Sequence, residues 1–360
     1  MSVIKIKSHI RDYDVRFKKA SGFLNEIDNG SVHNCYIIDE NVWELYHGNT
    51  FSDRDTNRVI VLPISEERKN LHTVQELYDC LIERSAKRNM MLVSIGGGIV
   101  QDITGFLAST LYRGIQWIFI PTTLLAQADS CIGSKTSLNY KSYKNLIGTF
   151  YPPIGVCIDT AFLNTLKDID FYSGLGEAVK LHIMGGERHV NSILELFPEI
   201  ISRKQEALEA TVYQSLLIKQ GYIEGDEFDT GRRNLLNYGH CFGHALETTS
   251  GFEIPHGQAV VIGMILANIV SRRRNLLSRT LEYFLLQRAL VPSLVEKPRK
   301  CFLKSETIIS AMKKDKKRTG EGLPLITMAD GYAMIKIDDL GEQEAEHAID
   351  EMISMLEISD

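Results

Sequence analysis

The chain has 360 residues, 44% hydrophobic and 24% charged, with a formal net charge of -6. This length exceeds one ordinary core and suits two domains. The acidic balance argues against a nucleic-acid-binding protein, which needs a basic surface to displace counterions. No apolar run is long enough to span a bilayer, and residues 1–10 lack the apolar core of a secretory signal. We therefore expect a cytoplasmic protein with no membrane or nucleic-acid partner.

The order of predicted elements indicates two halves. Up to Thr165, short β-rich segments alternate with helical ones, which is typical of a parallel sheet with crossover helices. Helical periodicity dominates afterwards. We predict an α/β Rossmann-like nucleotide-binding domain over 1–165 and a mainly α-helical domain over 166–360. The predicted strands are 1–10, 32–38, 58–62, 91–95, 117–120, 156–158, 325–327 and 332–337, and the predicted helices are 72–87, 99–109, 166–183, 190–197, 204–221, 235–249, 258–277 and 280–290.

Three glycines at 96–98 follow the strand predicted over 91–95 and precede a helix. Glycines at such a turn let a pyrophosphate approach the backbone at a helix N-terminus, although a plain tight turn is the alternative. Asp102 is placed to contact a ribose or nicotinamide, or to stabilise the first turn of the helix by its charge. Thr122 and Thr123 follow the next strand, where such folds bind ligands, although a helix cap is equally consistent with them.

Two histidines indicate a possible metal site in the second half. His240 and His244 are four residues apart, which places both imidazoles on one face of a helix. His256 follows after a short loop, and Glu177 lies upstream with Lys180 one turn later. Two histidines and a carboxylate leave coordination positions open, as a catalytic zinc requires. A histidine pair at this spacing is also common in purely structural settings.

Basic residues occur in several groups. Each residue alone is typical of a solvated charge. Together they suit a substrate that carries a phosphate and a carboxylate. The groups are Lys135 and Lys144 with Asp129 and Asn145; Arg113, Lys219, Arg232 and Arg233; and the stretch 313–318.

These motifs resemble the sugar phosphate cyclases, and within them the 3-dehydroquinate synthase family. The resemblance extends from about Asp39 to Lys317, which is most of the chain. It implies the two-domain fold predicted above, in which the helical domain over 166–360 is the metal- and substrate-binding domain. It also implies NAD and a divalent metal, usually zinc or cobalt, as cofactors. The motifs that carry it are 96–98 with Asp102, 112–114, 121–130, 144–148 and 237–245.

The resemblance also implies a role for each matching position. The implied metal ligands are Glu177, His240 and His256. The implied contacts to the adenosine end of NAD are Asp39, Glu66 and Lys69, and those to its pyrophosphate and nicotinamide are Gly97, Gly98, Asp102, Thr122 and Thr123. The implied residues around the reacting hydroxyls and phosphate are Asp129, Lys180, His244, Lys135, Lys144, Asn145 and Asn237, with Lys316 or Lys317.

Three further basic residues bear on the subunit and the substrate. Arg113 matches an arginine that reaches the phosphate in a neighbouring subunit's site, which implies a homodimer. Lys219 and Arg233 match the pair that binds the substrate carboxylate, and cyclases whose substrates lack a carboxylate do not keep this pair. The resemblance therefore implies a 3-deoxy-heptulosonate 7-phosphate as substrate and 3-dehydroquinate as product, formed with loss of phosphate through transient oxidation by NAD.

Four positions depart from the family pattern. Gln101 and Ser134 stand where glycines are usual, Cys131 where serine is common, and Gln258 where glutamate is usual. None removes a metal ligand or a charged substrate contact, so they indicate a divergent member. The alternatives are a cyclase of specialised metabolism with an amino-dehydroquinate, valiolone or inosose product, a metal-dependent alcohol dehydrogenase of the glycerol dehydrogenase type, and a non-catalytic protein that kept the fold.

Overall fold

The computed structural model describes residues 2–29, 33–52, 54–141, 143–314 and 322–359. By their contacts, these residues form two compact units. The first comprises Met1–Thr165 and Ile223–Phe228, and the second comprises Leu166–Tyr222 and Asp229–Asp360. The first contains a mostly parallel sheet and the second is mainly helical, which confirms the predicted fold class.

The first unit is built on one sheet. Its strands are β1 (Val3–Ile6), β2 (Tyr13–Phe17), β3 (Asn34–Asp39), β4 (Val59–Leu62), β5 (Met91–Gly96), β6 (Gln116–Pro121) and, further along the chain, β9 (Gly155–Ile158). Within the described ranges their order is β1-β2-β9-β6-β5-β3-β4, and every pairing except β1 with β2 is parallel. β3 and β5 are buried at every position, as expected of central parallel strands. The carboxyl ends of β3, β5 and β6 therefore lie side by side.

Helices and a hairpin complete this unit. The helices are α1 (Ala20–Asp28), α2 (Glu40–Tyr46), α3 (Leu71–Glu83) and α4 (Gly98–Thr110). α3 begins at a cap in which Asn70 Oδ1 accepts a hydrogen bond from the Thr73 backbone N–H at 3.0 Å. β7 (Lys135–Tyr140) and β8 (Tyr143–Phe150) form an antiparallel hairpin that the sequence did not predict. Most of β8 is exposed or half-buried, so it lacks the apolar alternation by which a strand is recognised.

The second unit surrounds one buried helix. Its elements are α5 (Asp168–Met184), α6 (Glu187–Ile201), α7 (Gln205–Ile223), α8 (His240–Thr249), α9 (His256–Arg273), α10 (Arg279–Leu285), α11 (Ser305–Lys313), α12 (Glu342–Met355) and the hairpin β10 (Leu323–Ala329) with β11 (Ala333–Leu340). Every residue of α9 from Gly257 to Ser271 is buried. A side chain at Gly257 would collide with the Ser173 carbonyl, so glycine lets α5 and α9 touch. None of the described helices has the length and apolar character needed to cross a membrane.

Candidate active site

Three helices of the second unit bring Glu177, His240 and His256 together. Glu177 is fully buried on α5, and the two histidines are the first residues of α8 and α9. Nε2 of His240 lies 3.6 Å from Oε1 of Glu177, and Nε2 of His256 lies 3.2 Å from the same oxygen. Ligand atoms bonded tetrahedrally to one zinc ion are separated by about 3.4 Å, because each bond is about 2.0–2.2 Å long. The spacing of the three groups therefore fits a single divalent cation.

The second nitrogen of each imidazole is held in place. Nδ1 of His240 lies 3.1 Å from the Tyr238 carbonyl oxygen, and Nδ1 of His256 lies 3.0 Å from Oε2 of Glu247. Both rings therefore direct Nε2 towards Glu177, as is typical of metal-binding histidines. Oε1 of Glu177 is buried and receives no hydrogen bond from any described residue. A cation would satisfy this oxygen, so the donor set fits a divalent metal.

Charges around this cluster shift three pKa values. Nζ of Lys180 lies 2.5 Å from Oε2 of Glu177, and both side chains are almost completely buried. Burial by itself would raise the pKa of Glu177, but Lys180 and the imidazoles hold it well below its usual range. Burial, with Lys180, lowers the pKa of His240. Burial opposes charge on His256, but Glu177 and Glu247 raise its pKa to about 10. A bound cation would replace the proton that these carboxylates favour.

His244 and Asn237 also lie at this cluster. The His244 ring centroid is 5.3 Å from that of His240 and 5.9 Å from that of His256. Asn237 Nδ2 donates a hydrogen bond to the Asn234 carbonyl at 2.9 Å. A depression with a volume of about 80 Å³ is lined by both residues together with His240, Cys241 and part of the β10–β11 hairpin. The depression gives a small molecule access to the face of the cluster that carries the imidazoles.

The second unit buries two of the basic residues that the resemblance assigns to the substrate. Lys219 on α7 is 6% exposed and Arg233 is 4% exposed. The neighbouring Arg232 is exposed instead, with its guanidinium 5.0 Å above the Tyr222 ring. A buried cation is stable only with anionic or strongly polar partners. The fold therefore distinguishes Arg233 from Arg232, although the two are adjacent in sequence.

In the first unit, a glycine-rich turn connects β5 to α4. A Cβ atom on Gly97 would lie 3.0 Å from Cγ2 of Thr123, so this position has little room for a side chain. A Cβ on Gly98 would meet Oγ of Ser130 at 3.9 Å and no nearer described atom. The first turn of α4 thus offers backbone N–H groups at a position that no described side chain crowds, and helix N-termini of this kind are common binding sites for phosphate groups.

Asp39 and the two threonines border this turn. Asp39 ends β3, and its Oδ1 accepts a hydrogen bond from the Asn41 backbone N–H at 2.9 Å, which caps α2. Burial raises the pKa of Asp39. The Thr122 backbone N–H donates to the Gly96 carbonyl at 2.9 Å. Thr123 Oγ1 accepts a hydrogen bond from the Ala126 N–H at 3.2 Å. This threonine therefore caps the following helical turn, which was the alternative to ligand binding.

Lys69, Asp102 and Asn145 form one polar network. Nζ of Lys69 lies 2.5 Å from Oδ2 of Asp102 and donates a hydrogen bond to Oδ1 of Asn145 at 2.7 Å. Asp102 accepts from both the backbone N–H and the hydroxyl of Ser137. Burial raises the pKa of Asp102, while Lys69 and Ser137 favour its charged form. Lys69, which the resemblance assigns to the cofactor, is thus hydrogen-bonded to Asn145, which it assigns to the substrate phosphate.

The remaining predicted residues occupy varied positions. Nζ of Lys144 lies 3.8 Å from Oε1 of Glu66. Asp129 lies in a single π-helical turn, Ala126–Ser130. Lys135 is the exposed first residue of β7, and Arg113 is exposed in a left-handed conformation with φ of 66°. Lys316 and Lys317 lie outside the described residues.

Two carboxylates with important contacts, those of Glu247 and Glu227, were not predicted from the sequence. Glu247 supports His256, and it follows His240 by seven residues and His244 by three. That spacing places it on the same helix face, so a His-x3-His-x2-Glu pattern could have identified it. Glu227 accepts hydrogen bonds from the Ser8 hydroxyl, the His9 backbone N–H and the Ser134 hydroxyl. Its partners are distant in sequence, so no local pattern could have revealed it.

The contact between Ser134 and Glu227 leads to a stability prediction. Ser134 has φ of 66°, a left-handed conformation that costs a non-glycine residue about 1–2 kcal/mol. Ser134→Ala keeps this cost and loses a hydrogen bond to a charged group, so it should destabilise the protein by about 1.5–3 kcal/mol. Ser134→Gly loses the same bond but removes the backbone cost. We expect the glycine variant to have the higher Tm in calorimetry, and the opposite order would contradict this account.

The sequence matches known proteins along most of its length. Residues 59–173 match the family described as 3-dehydroquinate synthase N-terminal, and residues 174–318 match 3-dehydroquinate synthase C-terminal. The 3-dehydroquinate synthase of Pelagibacter ubique (strain HTCC1062) is 35% identical over 337 residues, which cover 90% of this chain and 91% of that protein.

Two solved structures share the fold. 2-epi-5-epi-valiolone synthase from Streptomyces hygroscopicus subsp. jinggangensis 5008, solved with NAD+ and Zn2+, superimposes with a TM-score of 0.84 at 24% identity and covers 99% of each chain. A 2-deoxy-scyllo-inosose synthase, complexed with carbaglucose-6-phosphate, NAD+ and Co2+, has a TM-score of 0.81 at 24% identity. That alignment covers 97% of this chain and 100% of the synthase. At this level of identity, the likeness establishes the fold alone.

Proposed function

Because the chain belongs to the 3-dehydroquinate synthase family, we propose that it converts a 3-deoxy-heptulosonate 7-phosphate, or a close analogue that keeps the carboxylate, into 3-dehydroquinate or its counterpart. The reaction releases inorganic phosphate and closes a carbocycle. NAD and a divalent metal, zinc or cobalt, serve as cofactors, and the enzyme acts as a cytoplasmic homodimer.

The observation that carries the substrate class is the burial of Lys219 and Arg233. Both cationic side chains are at most 6% exposed, whereas Arg232 points to solvent. A carboxylate is the natural partner for an arginine and a lysine held inside a protein, because charge-assisted hydrogen bonds offset the loss of hydration. By the family resemblance, cyclases whose sugar phosphate substrates lack a carboxylate do not keep this pair.

The other polar residues bind the phosphate and orient the hydroxyl groups of the substrate. Lys135, Lys144, Asn145 and Asn237 bind the phosphate that is lost, with Lys316 or Lys317. Asp129, Lys180 and His244 orient the hydroxyl groups around the reacting carbons. Lys180 is suited to this task because its ion pair with Glu177 fixes the ammonium at one position. Such fixed donors stabilise developing negative charge without reorganisation.

The cofactors supply the redox and polarising chemistry. When bound, NAD would accept and later return a hydride at the C5 carbinol, and a divalent metal held by Glu177, His240 and His256 would polarise the oxygen of that carbinol. Oxidation of that carbon acidifies the neighbouring C–H, whose proton passes to an oxygen of the substrate's own phosphate as that phosphate leaves by β-elimination. After the hydride returns, the ring opens and an enolate closes on the carbonyl. The hydride balance is zero, so NAD is needed only in catalytic amounts.

One incubation distinguishes the candidate functions. The protein is mixed with the heptulosonate phosphate, a trace of NAD and Zn²⁺, and both phosphate and NADH are measured. The proposed cyclase releases phosphate in large excess over NAD without net NADH. An alcohol dehydrogenase of the glycerol dehydrogenase type accumulates NADH, and a non-catalytic protein produces neither signal. Either of the last two outcomes would refute the proposal.

The homodimer proposal assigns Arg113 to the neighbouring subunit's substrate. Its side chain is exposed, and two successive left-handed residues, Tyr112 and Arg113, shape the turn that presents it. Arg113→Ala and Glu177→Ala homodimers should both be nearly inactive. A heterodimer of the two should recover about half the activity of the wild-type dimer, because one of its two sites has both groups intact. Isolated heterodimers that remain inactive would count against an arginine shared between subunits.

A further inference from the structure

Gln101 and Ser130 form a two-point hydrogen-bonded contact in the first unit. Gln101 lies on α4 and is only 6% exposed. Its Nε2 donates to the Ser130 carbonyl oxygen at 2.7 Å, and its Oε1 accepts from the Ser130 hydroxyl at 2.6 Å. One side chain thus holds both the backbone and the side chain of Ser130. A glycine at position 101 could make neither bond.

Ser130 ends the π-helical turn that carries Asp129. The turn closes with a bond from the Cys131 backbone N–H to the Ala126 carbonyl at 3.0 Å, five residues back. Such turns are rare inside helices, and they often occur at functional sites. Local structure of this kind persists only where the surroundings hold it. The bonds from Gln101 are a direct source of that support.

Both ends of this turn lie over the glycine-rich turn between β5 and α4. At the start, Thr123 accepts from Ala126 and borders Gly97. At the end, Oγ of Ser130 would lie 3.9 Å from a Cβ atom on Gly98. Gln101 therefore connects the turn that carries Asp129 to α4, the helix that begins at the glycine-rich turn.

We propose that Gln101 is a positioning residue that locks the Ala126–Ser130 turn against α4 and so fixes Asp129 relative to the bound cofactor. This inference rests on the proposed function, in which Asp129 orients a substrate hydroxyl for hydride transfer. Without the contact, the turn can relax towards ordinary α-helical hydrogen bonding, which rotates Asp129 around the helix axis. A displacement of about 1 Å at a reacting group can slow catalysis about 100-fold.

The test compares Gln101→Leu, Gln101→Glu and Ser130→Ala with the wild type. The leucine variant removes both bonds, while the glutamate variant keeps the acceptor but places a carboxylate oxygen against the Ser130 carbonyl. We expect kcat for phosphate release to fall about 10- to 100-fold in both Gln101 variants, with a smaller loss in Ser130→Ala. KM and the calorimetric Kd for NAD should stay within about threefold, because the glycine-rich turn is unchanged.

A control variant and two further measurements distinguish a positioning role for Gln101 from general damage to the fold. Thr104→Val on the same helix is the control, since its buried hydroxyl has no hydrogen-bond partner among the described residues, and it should match the wild type. Amide hydrogen exchange over 124–132 should be faster in Gln101→Leu, while β5 and the rest of α4 are unchanged. The double variant with Ser130→Ala should lose little more than Gln101→Leu alone, because both changes remove the same contact.

The outcomes are distinguishable. Unchanged exchange over 124–132 in Gln101→Leu, or wild-type kcat in that variant, overturns the positioning role. Parallel losses of NAD affinity and kcat also overturn it, because they indicate a damaged cofactor site. A wild-type enzyme that releases no phosphate refutes the proposed function instead, and the exchange comparison still decides whether the contact holds the turn.

Discussion

Replacing Glu177 with glutamine should lower kcat about 1,000-fold or more. The substitution removes the one anionic ligand of the candidate metal cluster and the charge that faces Lys180. A metal that polarises a substrate oxygen contributes several kcal/mol to the transition state, and about 1.4 kcal/mol corresponds to a factor of ten in rate. The measurement is steady-state phosphate release, together with metal content by elemental analysis.

Two controls accompany this prediction. Glu247→Gln leaves all three ligands in place and removes only the support of His256, so it should weaken metal affinity by about 10- to 100-fold, with activity restored by added metal. Chelation of the wild-type protein should abolish turnover, and Zn²⁺ or Co²⁺ should restore it. Full activity in protein shown to be free of metal would contradict the metal-centred account.

Replacing Arg233 with alanine should reduce kcat/KM on the carboxylated substrate by about 10- to 100-fold. A hydrogen bond to a charged group contributes about 1.5–3 kcal/mol, and Arg233 is buried where such a bond is strong. Arg233→Lys should also impair the enzyme, because lysine cannot present a planar fork to a carboxylate. Initial rates over a range of substrate concentrations give the required ratio.

The adjacent arginine provides a matched control. Arg232→Ala changes the same charge in the same short segment, but its guanidinium lies over Tyr222 at the surface. Its kcat/KM should be close to wild type. Equal effects of the two alanine variants would show that local disruption, rather than a lost carboxylate contact, explains the result.

The parallel sheet and the major helices followed from sequence periodicity. β3 and β5 are mostly apolar and buried at every position, and the helix predicted over 258–277 overlaps most of α9 but begins two residues late and ends four residues late. Four helices, α1, α2, α11 and α12, were not predicted. α12 is rich in acidic residues and buries only a narrow stripe of small or apolar side chains. Such a weak stripe resembles a solvated segment until tertiary packing is known.

The candidate site was only partly accessible from sequence. Helix spacing by itself places only His240 and His244 together, on one face of α8. The resemblance was needed to identify Glu177, His240 and His256 as one set of metal ligands. The positions of Glu227 and Gln101 depend on partners from other elements. Ser134 and Gln101 appeared in sequence as departures from a glycine pattern, and the structure shows the contacts that each side chain makes. Long-range contacts of this kind have no local signal.

The most direct measurement compares kcat/KM of the unmodified enzyme on 3-deoxy-heptulosonate 7-phosphate and on sedoheptulose 7-phosphate, with the carbocyclic product identified by NMR. Sedoheptulose 7-phosphate has a hydroxymethyl group in place of the carboxylate that Lys219 and Arg233 are proposed to bind, and it also carries a hydroxyl group at C3. Loss of two charged hydrogen bonds predicts a preference of at least about 100-fold for the carboxylated substrate, with one phosphate released per carbocycle. Equal rates, or a preference for sedoheptulose 7-phosphate, would contradict the proposed function.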